Sequence, residues 1–332
     1  MDTSKKLILF LMLLGACFRT IAQNTAGQNT PAQVSQTFPA SFTVSKDGSG
    51  DFQSIQAAIN AVRDFSVPVV TIHIKKGVYK EKLVVPSWKT KVFLLGEDKE
   101  QTVISNGDYS GKAGINTFNS YTLLVQGNDF RAENLTIENT AGPVGQAVAL
   151  HAEGDRMLVK NCRITGNQDT LFPAVDTSRQ YYVDCYIEGT TDFIFGAATV
   201  VFERCHIHSK RNSYLTAAST TPAQPYGFVF LDCELTASPG ITKVYLGRPW
   251  RPYANTVFIN TEMGSHILPA GWSAWNANDN HKTSFYAEYG SKGPGGATTA
   301  RIPWSKQLSK KEVKAYTLIK IFSGKSLWKP EQ

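Results

Sequence analysis

The stretches KNCRITGNQDTLF (residues 160–172) and YYVDCYIEGTTDFIFG (residues 181–196) decide the fold. Each carries a cysteine and, seven residues later, an aspartate: Asp169 in the first and Asp192 in the second. The two cysteines and the two aspartates are therefore both separated by 23 residues. If one such interval is one turn of a coil of stacked strands, equivalent positions lie about 4.8 Å apart on neighbouring turns. The spacing predicts that the two carboxylates lie side by side.

The coil is visible in a phrase that recurs along the chain, in which an apolar strand ends at a polar residue and apolar residues resume directly afterwards. It reads FRAENLTI, MLVKNCRI, YYVDCYI, VVFERCHI, FVFLDCEL and TVFINTEM. The copies are centred, at spacings of 27, 23, 20, 28 and 28 residues, on Leu135, Cys162, Cys185, Cys205, Cys233 and Thr261. Such a period is typical of a solenoid with irregular loops between regular strands. The consensus leucines of a leucine-rich repeat are missing, so the pattern predicts a parallel β-helix.

The start of the chain is expected to direct export. Lys5 and Lys6 precede an apolar run (residues 7–17), and small residues follow it. This pattern predicts a signal peptide over residues 1–22, which makes the protein secreted or periplasmic, without stable membrane insertion. Residues 23–40 are rich in Gln, Asn, Thr, Ala and Pro and are predicted to form a flexible leader.

A second interpretation of this region stays open. The run LGAC (residues 14–17) resembles a bacterial lipobox, which would place a lipid on Cys17 and tether the protein to a membrane. An ordinary cleavage site after Ala22 is equally legible. The alternatives predict different mature N-termini, a soluble chain in one case and an acylated cysteine in the other.

Helical periodicity is expected at both ends of the coil. The segment DFQSIQAAINAV (residues 51–62) places its apolar side chains on one face and is expected to cap the open end. The segment SKKEVKAYTLIKIF (residues 309–322), with Ile319 among its apolar positions, is expected to pack on the outside of the coil. The span 41–330 is predicted to be a single domain, all-β apart from these helical segments.

Cysteine usage and charge narrow the chemistry. Cys162, Cys185, Cys205 and Cys233 occupy one position of the recurring phrase, which favours a ladder of small buried side chains, with disulfide bonds as the alternative. No CxxC spacing or histidine cluster accompanies them, so neither a metal nor another cofactor is expected. The net charge of +7 favours a polyanionic partner, unless it serves solubility alone. No basic run with interleaved aromatic residues indicates nucleic acid, and nothing indicates an oligomer, so a monomer is expected.

The segments around the aspartates resemble, in order and spacing, the signature segments of the pectin methylesterase (pectinesterase) family. They are GQAVALHAEGD (145–155), GNQDTLF (166–172), YYVDCYIEGTTDFIFG (181–196) and YLGRPWRPYANTVF (245–258). GVYKEKL (77–83) and LPAGW (268–272) match further landmarks of the family. The resemblance covers nearly the whole mature chain, and it is closest to the bacterial secreted type of the family.

The resemblance implies a right-handed parallel β-helix that hydrolyses the C6 methyl esters of galacturonate residues in pectin. Carried over by position, it implies that Asp192 is the nucleophile and that Asp169 is the general acid and then the base. It also implies that Arg248 orients Asp192 and that Gln146 and Gln168 donate hydrogen bonds to the oxyanion. The spacing alone does not tell which aspartate has which role.

Aromatic side chains are expected to meet the sugar rings. The resemblance implies that Trp250 is a stacking platform, and Phe172, Phe195, Tyr253 and Trp272 are further candidates for the wall of the groove. Each of these side chains has a structural alternative as a packed aromatic residue. For the aspartates the alternative is a turn residue that satisfies backbone N–H groups, and the shared seven-residue offset argues against it.

The residue types suit ester hydrolysis. Neutral amide donors can stabilise a tetrahedral oxyanion without a salt bridge that traps the carboxylate product. Two neighbouring carboxylates do not both ionise easily, so the pKa of one rises while a guanidinium keeps the other charged. The charged carboxylate can then attack the ester carbonyl, and the protonated one can supply the proton of the leaving methoxide.

Some residues depart from the family pattern or from the site. Thr191 stands where Val is common, His151 where Arg is common, and Phe172 where Tyr is frequent, which leaves subsite preference open. Tyr79 and Glu81 in GVYKEKL are interpreted as structural, because their segment lies several turns from the aspartates. A pectate lyase or a polygalacturonase would need further clustered acidic residues, which the sequence lacks. A carbohydrate-binding β-helix with an inactive groove is disfavoured by the complete set of polar residues.

Overall fold

The computed structural model describes residues 38–324 and 326–330. Within these residues the chain winds through three parallel β-sheets, A, B and C, and returns to each sheet once per turn. The predicted parallel β-helix is confirmed. The predicted signal peptide (residues 1–22), Cys17 and the leader up to residue 37 lie outside the described residues. No helix in the described part of the chain is long and apolar enough to cross a membrane.

The strands are short and pair in parallel. Sheet A consists of β1 (Ser41–Val44), β2 (Val70–Ile74), β5 (Val92–Gly96), β8 (Arg131–Glu133), β11 (Met157–Lys160), β14 (Arg179–Val183), β17 (Thr199–Glu203), β20 (Phe228–Leu231), β23 (Asn255–Ile259), β25 (Phe285–Tyr289) and β26 (Lys306–Gln307). Sheet B consists of β3 (Gly77–Lys80), β6 (Thr102–Asn106), β9 (Thr136–Asn139), β12 (Arg163–Thr165), β15 (Tyr186–Gly189), β18 (His206–Ser209), β21 (Glu234–Ala237) and β24 (Glu262–Met263). Sheet C consists of β4 (Leu83–Val85), β7 (Leu123–Val125), β10 (Leu150–Ala152), β13 (Leu171–Pro173), β16 (Ile194–Gly196), β19 (Tyr214–Ala218) and β22 (Tyr245–Gly247).

The recurring phrase forms the corner between sheets A and B. Its polar residue adopts a left-handed backbone conformation in every copy, with φ between 46° and 56°, at Asn134, Asn161, Asp184, Arg204, Asp232 and Asn260. Asn and Asp tolerate this conformation better than most side chains, which explains why they recur there. At these six corners the chain therefore turns sharply after a strand of sheet A, and the next strand of sheet B begins two residues after the bend residue.

The cysteines line the interior of this corner. Cys162, Cys185, Cys205 and Cys233 are buried free thiols, which confirms the ladder interpretation over disulfide bonds. Each thiol lies within hydrogen-bonding distance of a backbone carbonyl; for example, Cys162 Sγ lies 3.3 Å from the oxygen of Lys160. Burial raises the pKa of Cys162, Cys185 and Cys205, so these thiols stay protonated and act as small apolar side chains.

The predicted capping helix closes the first turns. Helix α1 (Ile55–Ala61) begins after Ser54, whose hydroxyl accepts a backbone hydrogen bond from Ala57, and buries its apolar face. The carboxylate of Glu81 accepts hydrogen bonds from the Ser54 hydroxyl and from the first two backbone N–H groups of the helix. A negative charge at a helix N-terminus is stabilising. Tyr79 is 1% exposed, so the structural interpretation of both residues is confirmed.

The C-terminal segment covers the outer face of sheet A, as expected. It forms a 3₁₀ helix (Glu312–Ala315) and helix α2 (Leu318–Ile321), and Thr317 caps the start of α2. Ile321 and Phe322 are buried against this face, whereas Ile319 is 60% exposed. The expectation that Ile319 packs on the coil is therefore wrong. The helical segment is interrupted between Ala315 and Leu318, so α2 presents Ile321 rather than Ile319 to the coil. Further 3₁₀ helices are Thr117–Asn119, Asp279–Lys282 and Pro294–Gly296.

Candidate active site

The two aspartates occupy equivalent places on neighbouring turns. Leu171 of β13 pairs with Ile194 of β16, and Asp169 and Asp192 each precede these residues by two positions. Both have a positive φ, 65° for Asp169 and 47° for Asp192, so the chain enters both strands of sheet C through the same kind of bend. The predicted register of the two aspartates is confirmed.

Arg248 binds one of the two carboxylates. It follows β22 and donates hydrogen bonds to Asp192, from Nε to Oδ1 over 3.1 Å and from Nη2 to Oδ2 over 2.6 Å. The side chains of Arg248 and Asp192 are only 15% and 8% exposed. The planar guanidinium fork matches both carboxylate oxygens at once, which orients Asp192 as well as pairing its charge.

The environment distinguishes the two carboxylates electrostatically. Burial raises the pKa of Asp169 well above its usual value, and the neighbouring charge of Asp192 raises it further, with Arg248 opposing the rise. Burial also raises the pKa of Asp192, but the hydrogen bonds and the charge of Arg248 counteract that rise. As pH falls, Asp169 is therefore protonated before Asp192. This arrangement places one acid beside one carboxylate.

Two aromatic rings enclose the guanidinium of Arg248. Its carbon lies 4.0 Å from the ring centroid of Tyr214 and 4.1 Å from that of Trp275. Sequence reasoning missed both residues. Trp275 follows Trp272 by three positions in GWSAW, so a second tryptophan beside the LPAGW landmark was the available signal. The rings restrict the rotation of Arg248 and add cation–π attraction.

These groups surround a cavity of about 290 Å³. Its lining consists of Thr117, Phe118, Gln146, Gln168, Asp169, Asp192, Phe195, Ala217, Arg248, Trp250 and Trp275. Gln146 and Gln168 lie on neighbouring turns and are joined by a parallel β-bridge. The cavity therefore brings together every polar residue that the sequence predicts for the site.

Comparisons with known proteins agree with this geometry. The pectinesterase family profile matches residues 41–325. Pectinesterase 31 of Arabidopsis thaliana is 39% identical over 276 residues, which cover 80% of this chain and 86% of that protein. The structure of pectin methylesterase from carrot superposes with a TM-score of 0.82 at 35% identity, covering 85% of this chain and 93% of that one. The chain belongs to the pectinesterase family.

The relatives differ in length and source. This chain spans 53% of the length of the probable pectinesterase/pectinesterase inhibitor 64 of Arabidopsis thaliana, with which it is 38% identical. These three relatives are plant proteins, so they support the pectinesterase family and not the narrower bacterial assignment.

An aromatic surface flanks the cavity along the outer face of sheet C. The rings of Phe172 and Phe195 are parallel, with centroids 4.3 Å apart, and Trp250 meets Phe195 edge-on at 5.9 Å. Phe195 and Trp250 line the cavity, whereas Phe172, 7% exposed, lies one turn away. The predicted contacts of Trp250, Phe172 and Phe195 with sugar rings stay predictions.

Of the other two aromatic residues expected in the groove wall, one lies in the core and one lies outside the cavity lining. Trp272 is fully buried in the core, where its ring packs against Tyr286 at 4.6 Å. It pairs with Gly247, which pairs with Thr216, and this row of residues faces the interior. Placing Trp272 in the groove is therefore wrong, and Trp275 takes that position. Tyr253 is 47% exposed and is not part of the cavity lining, so its place in the wall of a longer groove stays a prediction.

The loop between β6 and β7 supplies a wall that sequence reasoning also missed. Thr117 and Phe118 come from its 3₁₀ helix (Thr117–Asn119), whose start is capped by the side chain of Asn116. A capping residue such as Asn116 indicates where a helix begins but not which surface the helix packs against. The sequence therefore gave no indication that this loop lines the cavity. In the described part of the chain, no three His, Cys, Asp or Glu side chains are placed to hold a metal ion.

Proposed function

We propose that this chain hydrolyses the methyl esters of pectin to give pectate and methanol, with Asp192 as nucleophile and Asp169 as acid and base. The observation that carries the proposal is the asymmetry of the pair. Arg248 donates both of its hydrogen bonds at this site to Asp192, while burial and the neighbouring charge raise the pKa of Asp169. Membership of the family supports the same reaction.

The first half of the reaction forms an acyl-enzyme. An oxygen of Asp192 attacks the ester carbonyl carbon, and the carbonyl oxygen becomes an oxyanion that the side-chain amides of Gln146 and Gln168 stabilise. The carbon–methoxide bond then breaks, and Asp169 gives its proton to the leaving methoxide. Methanol leaves, and an anhydride joins Asp192 to the substrate carbonyl.

The second half restores the enzyme. The carboxylate of Asp169 takes a proton from a water molecule, and the resulting hydroxide attacks the anhydride carbonyl. Collapse of the second tetrahedral intermediate releases the carboxylate of Asp192 and a galacturonic acid group, which loses its proton to solvent as it becomes galacturonate. Asp169 is protonated again, so each turnover consumes one ester and one water.

The test is methanol release from highly esterified pectin by the wild-type protein and by Asp192→Asn. We expect release by the wild type and a loss of at least about a thousand-fold in the variant, which has no nucleophile. Adding a chelator distinguishes the other β-helix activities. Calcium-dependent unsaturated products would indicate a lyase, and retention of pectin without any product would indicate a binding protein.

The proposal extends to processing and location. Residues 1–22 act as a signal peptide, residues 23–40 as a leader and residues 41–330 as the catalytic domain of a secreted or periplasmic monomer of the bacterial type. Mass spectrometry of the exported protein should find an unmodified N-terminus after Ala22. An acylated Cys17 would support the tethered lipoprotein instead.

A further inference from the structure

His151 lies next to the cavity but has no part in the proposed chemistry. It belongs to β10 and pairs with Phe172 of β13, so both side chains stand in one row on the outer face of sheet C. The side chain of His151 is 7% exposed, and the centroid of its ring lies 4.6 Å from that of Phe172.

Both ring nitrogens of His151 face hydrogen-bond acceptors. Nδ1 lies 3.1 Å from the backbone oxygen of Phe118, and Nε2 lies 3.0 Å from Oε1 of Glu153. A carbonyl oxygen carries no proton, so Nδ1 must donate. The hydrogen bond from His151, and then that from Gln126, lower the pKa of Glu153, so this carboxylate also accepts. A neutral imidazole has one N–H, whereas the imidazolium has two and satisfies both partners.

The carbonyl that His151 holds belongs to the wall of the cavity. Phe118 lines the cavity, is 51% exposed, and its ring lies 5.6 Å from that of Phe172. The same wall has a second anchor: Lys82 donates to the backbone oxygen of Asn119 over 2.6 Å. The hydrogen bond from the His151 ring therefore helps to fix the position of Phe118 in the cavity wall.

Other ionisable groups surround this arrangement. The centroid of the Tyr121 ring lies 6.0 Å from that of His151. The ammonium nitrogen of Lys82 lies 5.0 Å from the same Tyr121 centroid. Asp108 pairs with Lys82 over 2.8 Å, and its pKa is lowered to about 2, so this pair stays charged across the neutral range. Glu153 is thus the titratable group in direct contact with His151.

We propose that His151 is a positioning residue whose doubly protonated ring holds the Phe118 wall and Glu153 at the same time. A neutral ring keeps only one N–H, and that N–H stays on the charged carboxylate of Glu153, which is a stronger acceptor than a backbone carbonyl. Nδ1 then turns a lone pair toward the oxygen of Phe118, and that hydrogen bond is lost. The wall loosens, and pectin binding weakens while the aspartate chemistry is unchanged. This inference rests on the proposed function for its effect on KM, but the ring arrangement is independent of it.

The expected consequence is a pH dependence of KM. Histidine side chains as a class change charge between about pH 5 and 8. Within that range KM for pectin should rise as pH rises, by about five-fold, the equivalent of one hydrogen bond. The ionisation of the two aspartates changes kcat, whereas the His151 contact changes KM. Measuring both constants at each pH therefore separates the two effects.

Glu153→Gln is the decisive variant because it is nearly isosteric. A glutamine amide can donate to the lone pair on Nε2, so a neutral His151 can keep its N–H on the Phe118 oxygen. We expect the KM of Glu153→Gln to stay flat with pH. Glu133→Gln is the matched control, since Glu133 lies on β8 of sheet A and pairs with Lys160. Its KM profile should follow the wild type.

Nuclear magnetic resonance tests the arrangement without activity. In ¹⁵N-labelled wild-type protein, both ring nitrogens of His151 should carry protons at the acidic end of the range in which KM is lowest, and the amide signal of Asn119 should shift together with KM as pH rises. The shift should be lost in Glu153→Gln. Identical KM profiles in the wild type and Glu153→Gln, or a wild-type ring with a single proton at that end of the range, would overturn the proposal. If the wild type releases no methanol, the proposed function fails and the spectra alone decide the inference.

Discussion

Replacing Arg248 by alanine should move the acidic limb of the pH profile to higher pH. In the wild type, two hydrogen bonds of 3.1 and 2.6 Å and an opposite charge favour the ionised form of Asp192, whose side chain is 8% exposed. An opposite charge in contact with a carboxylate lowers its pKa by about 1 to 3 units. Each unit corresponds to about 1.4 kcal/mol between the two protonation states.

The sign follows from the role of the ionised form. Without Arg248, burial acts unopposed and the pKa of Asp192 rises, so less of the nucleophile is charged at any acidic pH. At a pH below both limbs, turnover should fall by about 10- to 1,000-fold, the range set by the pKa shift. Above the raised limb, Asp192 ionises again and part of the activity should return.

Methanol release measured over the pH range tests this expectation, with Arg251→Ala as the matched control. Arg251 lies 4.9 Å from the Trp250 ring, and its removal should leave the acidic limb in place. Arg248→Lys keeps the positive charge but lacks the bidentate fork, so it should shift the acidic limb less than Arg248→Ala. It also replaces Arg248→Ala as the test variant if the alanine variant does not fold. A uniform loss at all pH values through KM alone, or an equal shift in Arg251→Ala, would refute the reasoning.

Three further outcomes follow from burial and position. Trp250→Ala should raise KM for pectin without moving the acidic limb in steady-state kinetics, because Trp250 lines the cavity and does not bond the aspartates; a shifted limb would contradict its role. Trp272→Ala should lower the free energy of unfolding by about 3 to 5 kcal/mol in urea titrations, because Trp272 is fully buried, while folded molecules keep the wild-type KM. Asp169→Asn should stabilise the protein increasingly as pH rises: the pKa of Asp169 is raised in the folded state, so the wild type loses stability as pH rises through that value. Thermal unfolding should show a gain in Tm at about pH 8 that is small at about pH 4, and an equal gain at both would count against it.

The sequence by itself determined the coil and the meeting of the aspartates. Backbone pairing in a parallel β-helix repeats once per turn, so a shared interval between Cys162 and Cys185, and between Asp169 and Asp192, translates directly into neighbouring positions. The same periodicity predicted the ladder of buried thiols. The roles of Arg248, Gln146 and Gln168 came from resemblance. Loops of irregular length separate Arg248 and Gln146 from the aspartates, and the adjacency of Gln168 to Asp169 does not by itself indicate an oxyanion donor.

Only the tertiary structure decided which aromatic residues reach the cavity and how each group is charged. Trp272 and Trp275 lie three residues apart, yet the pairing of Trp272 with Gly247 turns the first inward and leaves the second beside Arg248. A loop far from the aspartates in sequence brings Phe118 onto His151. Burial and charge are sums over all neighbours in space, and a strand pattern records only the face on which a side chain lies. The pKa order of Asp169 and Asp192 therefore exists only in the folded chain.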